Sequence, residues 1–294
     1  GAATALAGGA QTQIVDAHVH LWDNTCLRVP WIDANAVLNR PYLPADYTEH
    51  TTGTGTAALV YVEVAVAPPY AALEPDWVLA RARLDPRIQG MVVWAPVEFG
   101  ELARAYLEAM VAKGPLVKGV RRGLGNDPAL ATSADFVRGV QLLGEHGLSF
   151  DLLGRGEPVM GAAIELVRRC PGTQFMVDHL FNPDVRQGTM DPWRGQLAAL
   201  AAFPNVSCKV SGVVTNADHE GWRPADLAPY VDHALSVFGE DRVAYGSDWP
   251  VILQAATIPR WVDALDGIVS RLSPGARRKL FGENARRFYR LESA

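Results

Sequence analysis

Ile14-Val-Asp-Ala-His-Val-His20 is the stretch that decides the fold: a short apolar run that carries an aspartate and two histidines at alternate positions. On a strand, side chains two apart share a face, so Asp16, His18 and His20 are expected to point into one interior, with Asp16 one layer below. Working outward, β-rich runs recur at Ala57–Val66, Gly90–Val97, Val117–Arg121, Ser149–Leu153, Gln174–His179, Asn205–Ser211 and Arg242–Ser247, eight in all with the first. Helical patterns separate them, at Pro75–Leu84, Glu101–Ala112, Ala134–Glu145, Pro158–Arg169, Pro192–Ala202, Pro224–Phe238 and Pro259–Arg271, with Pro274–Leu291 closing the series. Several carry proline in the first turn, where its missing N–H costs nothing. Eight strands each followed by a helix is the arithmetic of an α/β fold of the (β/α)8 TIM-barrel kind. No linker interrupts it, so residues 14–294 are expected to form a single domain. The first connection, Asp23–Thr56, is long, carries three prolines and Trp31, and is expected to fold over the barrel mouth as a lid.

The bulk properties agree. The chain has 294 residues, 49% of them hydrophobic and 20% charged, enough to bury a large core. A net charge of −5 argues against a nucleic-acid partner, which calls for a dense basic face. No apolar run is long enough for a membrane span, and the richest, Ala57–Ala67, is interrupted by Glu63. Cys26, Cys170 and Cys208 are scattered and odd in number, which suits a reducing compartment better than a disulfide framework or a thiolate zinc site. A cytoplasmic location is therefore expected. Residues 1–13 are Ala/Gly/Thr-rich and lack a basic start; they are read as a disordered tail, or as what remains of a cleaved export signal, which leaves an exported form open. No motif speaks to the oligomeric state.

In such a barrel the chemistry gathers at the C-terminal strand ends. His18 and His20 close the first run, Asp178-His179 the sixth, and Gly246-Ser-Asp248-Trp249-Pro250 follows the eighth. A carboxylate placed like Asp248, after an apolar strand and beside a tryptophan, must be paired or coordinated if buried. His18, His20, His179 and Asp248 thus form a constellation of three imidazoles and one carboxylate. It can hold one divalent cation and leave a position for water, or orient water without a metal.

At these residues the sequence resembles the amidohydrolase superfamily, in the branch of metal-dependent hydrolases that includes sugar lactonases such as fuconolactonase and rhamnonolactonase. The likeness runs through Asp16-Ala-His-Val-His-Leu-Trp22, Leu43-Pro-Ala-Asp-Tyr47, Asp85-Pro-Arg-Ile-Gln-Gly90, Asn205-Val-Ser-Cys-Lys-Val-Ser-Gly212 and Phe281-Gly-Glu-Asn-Ala285. The resemblance implies that Asp248 takes the proton of the attacking water and that a zinc or manganese ion, where one is used, sits among His18, His20, His179 and Asp248. The branch also holds metal-free members. Asp151, where a full superfamily metal site would have a histidine, removes one ligand. After Asp-His a Gly-Lys-Pro is expected, but this chain has Leu180-Phe181-Asn182-Pro183, so one edge of the substrate should meet an apolar wall.

Around the mouth, Arg121 or Arg122 is expected to grip substrate oxygens, and Trp22, Phe181, Asn182 and Trp249 to line the ring face. Trp31, Trp94 and Trp222 share that neighbourhood, each with core or lid packing as the simpler role. Lys118, three residues before Arg121, should face the other way. Glu63, inside an apolar strand, calls for a buried partner such as a neighbouring strand's Lys or Arg, and Lys209 for a carboxylate such as Glu63 or Asp151. His219 is read as a solvated loop residue. Together these readings imply hydrolysis of a small cyclic lactone, most simply a sugar aldonolactone. A metal-dependent decarboxylase and a non-catalytic barrel that binds a sugar acid are the alternatives.

Overall fold

In the computed structural model, residues 13–292 are described; the tail read over residues 1–13 therefore lies outside them except for Gln13. Among the described residues eight strands form one parallel sheet in sequence order: β1 (Ile14–Val19), β2 (Thr56–Val62), β3 (Ile88–Val93), β4 (Val117–Arg121), β5 (Ser149–Leu152), β6 (Phe175–Val177), β7 (Val206–Val210) and β8 (Val243–Tyr245). The sheet closes through a parallel bridge between Val19 and Trp249 and a bond from the Asp248 N–H to the His18 carbonyl, 2.9 Å. The expected barrel is what forms.

Both faces of the sheet are covered, which is why the strands read as continuous apolar runs. Small and branched residues such as Ala17, Val60, Val62, Val92 and Ala244 pack with Tyr289 and Leu291 of the C-terminal segment. Leu59, Phe150, Phe175, Val206 and Val210 pack in the larger cluster with the surrounding helices. Those helices are α1 (Pro44–His50), α2 (Glu74–Ala82), α3 (Arg104–Val111), α4 (Pro128–Thr132), α5 (Ala134–Glu145), α6 (Glu157–Arg169), α7 (Trp193–Ala201), α8 (Pro224–Phe238), α9 (Ile258–Ile268), α10 (Pro274–Arg278) and α11 (Asn284–Tyr289). The expected helix over Pro274–Leu291 is thus broken by a π-type turn at Lys279–Glu283. Caps explain several starts: Ser133 accepts from the Phe136 N–H at α5 and Thr257 from the Arg260 N–H at α9.

The expectation for Asp16 is corrected. Pairing between β1 and β2 shifts between Asp16 and Val19, so strict alternation fails there. The Asp16 carboxylate meets the Tyr47 hydroxyl of α1 at 2.9 Å and the Ser247 N–H at 2.8 Å, away from the histidines, and fastens the end of β1 to α1 and to the end of β8. Burial pushes this carboxyl up to about 6.

The long first connection is pinned on both sides of β1. Trp31 donates to the Val64 carbonyl at 2.7 Å, the Ala67 N–H to the Arg28 carbonyl at 2.8 Å, and Asn35 to Gln254 at 2.7 Å. It covers the β8–β1–β2 sector of the mouth and leaves the sector above β2 to β6 open. No helix among the described residues is long and apolar enough to cross a membrane.

Candidate active site

The four expected groups stand at or just beyond the ends of β1, β6 and β8, and the backbone after β6 and β8 is unusual. His179, Leu180, Phe181 and Asn182 take positive φ angles of 54°, 55°, 61° and 53°, and Asp248 one of 59°. Left-handed conformations are costly for residues with a Cβ, so each must be held by its surroundings. The turn ends β6 at Val177 and brings His179 over the barrel axis, where its ring centroid is 4.4 Å from that of His18.

Gly212 makes room for this turn. It has φ +61°, and a Cβ built there would lie 2.6 Å from Nδ1 of His179. Gly212→Ala is expected to displace the His179 ring, lower stability by about 1–3 kcal/mol and cut turnover, while the wild-type circular dichroism persists. Assays of activity and thermal midpoint together check it: an unaltered rate would mean that His179 tolerates displacement.

The imidazoles converge on Asp248. Its Oδ1 lies 3.4 Å from Nε2 of His20, 3.8 Å from Nε2 of His18 and 3.9 Å from Nε2 of His179. His20 donates Nδ1–H to the Val62 carbonyl at 2.8 Å, which orients its ring and turns Nε2 toward Asp248. His179 is held by Ser211 Oγ at 2.9 Å from Nδ1. Burial drives the basicity of His18 well below the usual histidine range and lowers that of His179, so both are neutral at pH 7.

Beneath the histidines lies a layer of buried charge. Lys209 donates to Asp151 at 2.5 Å and Asp178 at 2.9 Å, and its Nζ sits 3.2 Å from His18 Nδ1. Burial works to raise the Asp178 carboxyl, but Lys209 together with the adjoining His18 and His179 holds it well below the ordinary carboxylate range. Arg121 donates to the Glu63 carboxylate and carbonyl, each at 2.6 Å, and Tyr289 closes the layer on Asp151 at 2.9 Å. Lys209 thus finds Asp151 as expected, while the arginine that pairs with Glu63 comes not from a neighbouring strand but from β4, one strand further round the barrel.

A divalent cation fits this set. Nε2 of His18 and Nε2 of His20 are 3.1 Å apart, and with Asp248 Oδ1 they form a triangle of 3.1, 3.4 and 3.8 Å. Tetrahedral zinc with bonds of about 2.0–2.1 Å sets its ligands about 3.3–3.4 Å apart. The charges agree: Arg121 and Lys209 face four carboxylates, Glu63, Asp151, Asp178 and Asp248, and Oδ2 of Asp178 has no hydrogen-bond partner. His18, Asp178 and His179 form a second group of compatible spacing.

A cavity of about 670 Å³ opens beside this cluster, above β2 to β6. Its lining combines polar groups, Glu98, Arg122, Asn126, Arg155 and Asn182, with apolar ones, Val66, Pro68, Ala71, Trp94 and Leu153. Arg121 joins cavity and cluster, its Nη1 lying 3.4 Å from His18 Nε2. Arg122 is on the wall as expected, paired with Glu98 at 3.0 Å, and Asn182 stands across from it, donating to the Gly154 carbonyl.

Three expectations for the substrate face are corrected. Trp22 and Trp249 are fully buried, the first donating to the Arg40 carbonyl and the second packed edge-on against Tyr42 and Tyr47, so they brace the first connection instead of meeting a ligand. Phe181 is buried at 1% exposure under Gly154, and the apolar wall is built by other residues, Trp94 among them. Arg121 touches the cavity, but most of its donors are committed to Glu63. Lys118 reaches the Arg290 carbonyl, far from the mouth, and His219 is an exposed loop residue. Asp178, Ser211 and Gly212 carry roles that sequence reasoning did not assign; the Ser-Gly pair after an apolar strand was the available signal.

Comparison with known proteins bears on this arrangement. A family model described as amidohydrolase matches residues 15–291. The chain is 33% identical over 299 residues to a Burkholderia multivorans protein named L-fucono-1,5-lactonase, covering 94% of this chain and 96% of that one. A Burkholderia ambifaria protein of the same name is 29% identical, with 95% and 96% covered. A crystal structure of a Burkholderia multivorans amidohydrolase with bound zinc superposes with a TM-score of 0.85 at 30% identity, covering 95% of this chain and 100% of that one.

Proposed function

Because the chain belongs to the amidohydrolase family, we propose that it is a lactonase that opens a small sugar aldonolactone with water activated by Asp248. The observation that carries this reading is the convergence of three imidazoles on Asp248 at the edge of a cavity of the right size for one sugar ring. The lactonase names of two relatives support the reaction class.

Asp248 takes a proton as the water oxygen bonds to the lactone carbonyl carbon, and the carbonyl becomes a tetrahedral oxyanion. The fixed charge of Arg121, beside His18 and held by Glu63, favours that oxyanion without reorganisation. The bond from carbonyl carbon to ring oxygen then breaks, and the proton held by Asp248 returns to the departing oxygen, giving a hydroxy acid. A divalent cation on His18, His20 and Asp248, with His179 beside them, would polarise the carbonyl and acidify the water. Arg122, Asn126 and Asn182 on the lining suit ring hydroxyls, and Trp94 suits an apolar edge such as the methyl of a 6-deoxy sugar.

A substrate panel tests the proposal. Five- and six-membered aldonolactones, pyrone-type lactones and aryl carboxylates are assayed for acid release and for carbon dioxide. Acid release from aldonolactones, with marked preference among epimers, is expected, since sites that hydrogen-bond hydroxyls reject analogues lacking a matching group. Hydrolysis confined to the pyrones, or carbon dioxide from the aryl acids, would overturn it.

A further inference from the structure

At the opposite end of the barrel, a second cavity of about 540 Å³ lies between the N-terminal ends of β6, β7 and β8 and the C-terminal segment. Arg242, Arg287 and Arg290 line it, together with Gln174 and Ser207. In a chain of net charge −5 this is a local excess of positive charge, and among the described residues none of the three arginines forms an ion pair with a carboxylate. The acidic residue on the wall, Asp241, is taken by Lys279 at 2.8 Å.

Each guanidinium is anchored by one nitrogen to main-chain oxygens. Arg242 Nη1 donates to the carbonyls of Phe203 and Val206 at 3.0 and 2.9 Å, Arg290 Nη2 to those of Lys118 and Gly147 at 3.1 and 3.0 Å, and Arg287 Nη2 to that of Asp241. Their other nitrogens keep donors free. Arginines already held in place lose little freedom on meeting a ligand, and their planar forks match tetrahedral oxyanions in pairs. Arg242 is in addition half-buried without a counterion, a placement an anion would relieve, while Arg287 and Arg290 reach the cavity from its exposed rim.

We propose that this cavity is a binding site for a compact phosphate group, free or as the monoester of a small molecule, separate from the catalytic mouth. Isothermal titration of the full chain with inorganic phosphate, at ionic strength held constant with sodium chloride, is the test. Saturable binding is expected, weakened at least about tenfold in the Arg242→Gln, Arg287→Gln double variant. A parallel titration with a sugar phosphate separates the sources: tighter binding than phosphate assigns the site to an ester, equal binding to the free ion. Should the double variant not fold, phenylglyoxal modification of the wild-type chain replaces it, with phosphate expected to protect Arg242 and Arg287 but not Arg223, which lies outside this cavity. Absence of saturable binding into the tens of millimolar, or equal binding by a folded double variant, or no selective protection, would overturn the proposal.

Discussion

Replacing Lys209 by methionine is expected to destabilise the barrel by about 3–5 kcal/mol, the largest stability loss of any single change in the site. The side chain is fully buried, and its ammonium is the cation that separates Asp151 from Asp178. Methionine fills nearly the same volume, so packing changes little, but two carboxylates lose their shared partner in a medium that penalises unpaired charge. The sign with pH follows from Asp178. Its carboxyl is held below the ordinary range in the folded chain, so the stabilisation is complete above the unfolded value near 4 and is lost as the pH falls through the folded value. In the variant the Lys209 share of this depression is lost, and the gap from wild type should be wide at pH 7 and narrow in strong acid. Thermal midpoints of both proteins across that range check the prediction, and a variant as stable as wild type at pH 7 would show that Asp151 and Asp178 find other partners.

Much of the fold was legible because a parallel strand buried on both faces writes itself as an apolar run, and most runs here are followed by a helix with proline or a capping side chain at its start. His18, His20, His179 and Asp248 could be placed at one end of the barrel by counting strands alone, and their convergence in space agrees with that placement. The likeness to a known family added the expected chemistry.

What escaped the sequence has a common cause: it depends on partners remote along the chain. The register shift that turns Asp16 toward Tyr47 is a property of the β1–β2 pairing, not of the alternating pattern in β1. The left-handed turn from His179 to Asn182 contains no glycine to announce it; the space it needs is supplied by Gly212, after the adjacent strand β7 and remote in sequence. Trp22 and Trp249 lie near strand ends as expected, but a tryptophan beside a mouth can face inward to a ligand or outward to packing, and only the Tyr42 and Tyr47 rings decide the matter. Trp94, equally visible in the sequence, is the tryptophan on the cavity wall.

Asp248→Asn is expected to keep the fold and lower turnover by roughly 10²–10⁴-fold, the range for loss of a general base. Asparagine preserves the shape of the side chain in its left-handed backbone position, where asparagine is itself tolerated, so the change is confined to charge and basicity. The neutral amide cannot take the proton of water, and it brings an N–H donor toward the Nε2 atoms of His18, His20 and His179. The most direct measurement is therefore the rate of acid release from the best aldonolactone by wild-type and Asp248→Asn protein, side by side, with circular dichroism and thermal midpoint confirming that both are folded. Rapid ring opening by the wild type and a loss of at least about a hundredfold in the variant is the predicted result; a folded Asp248→Asn protein that opens the ring at near wild-type rate would contradict it.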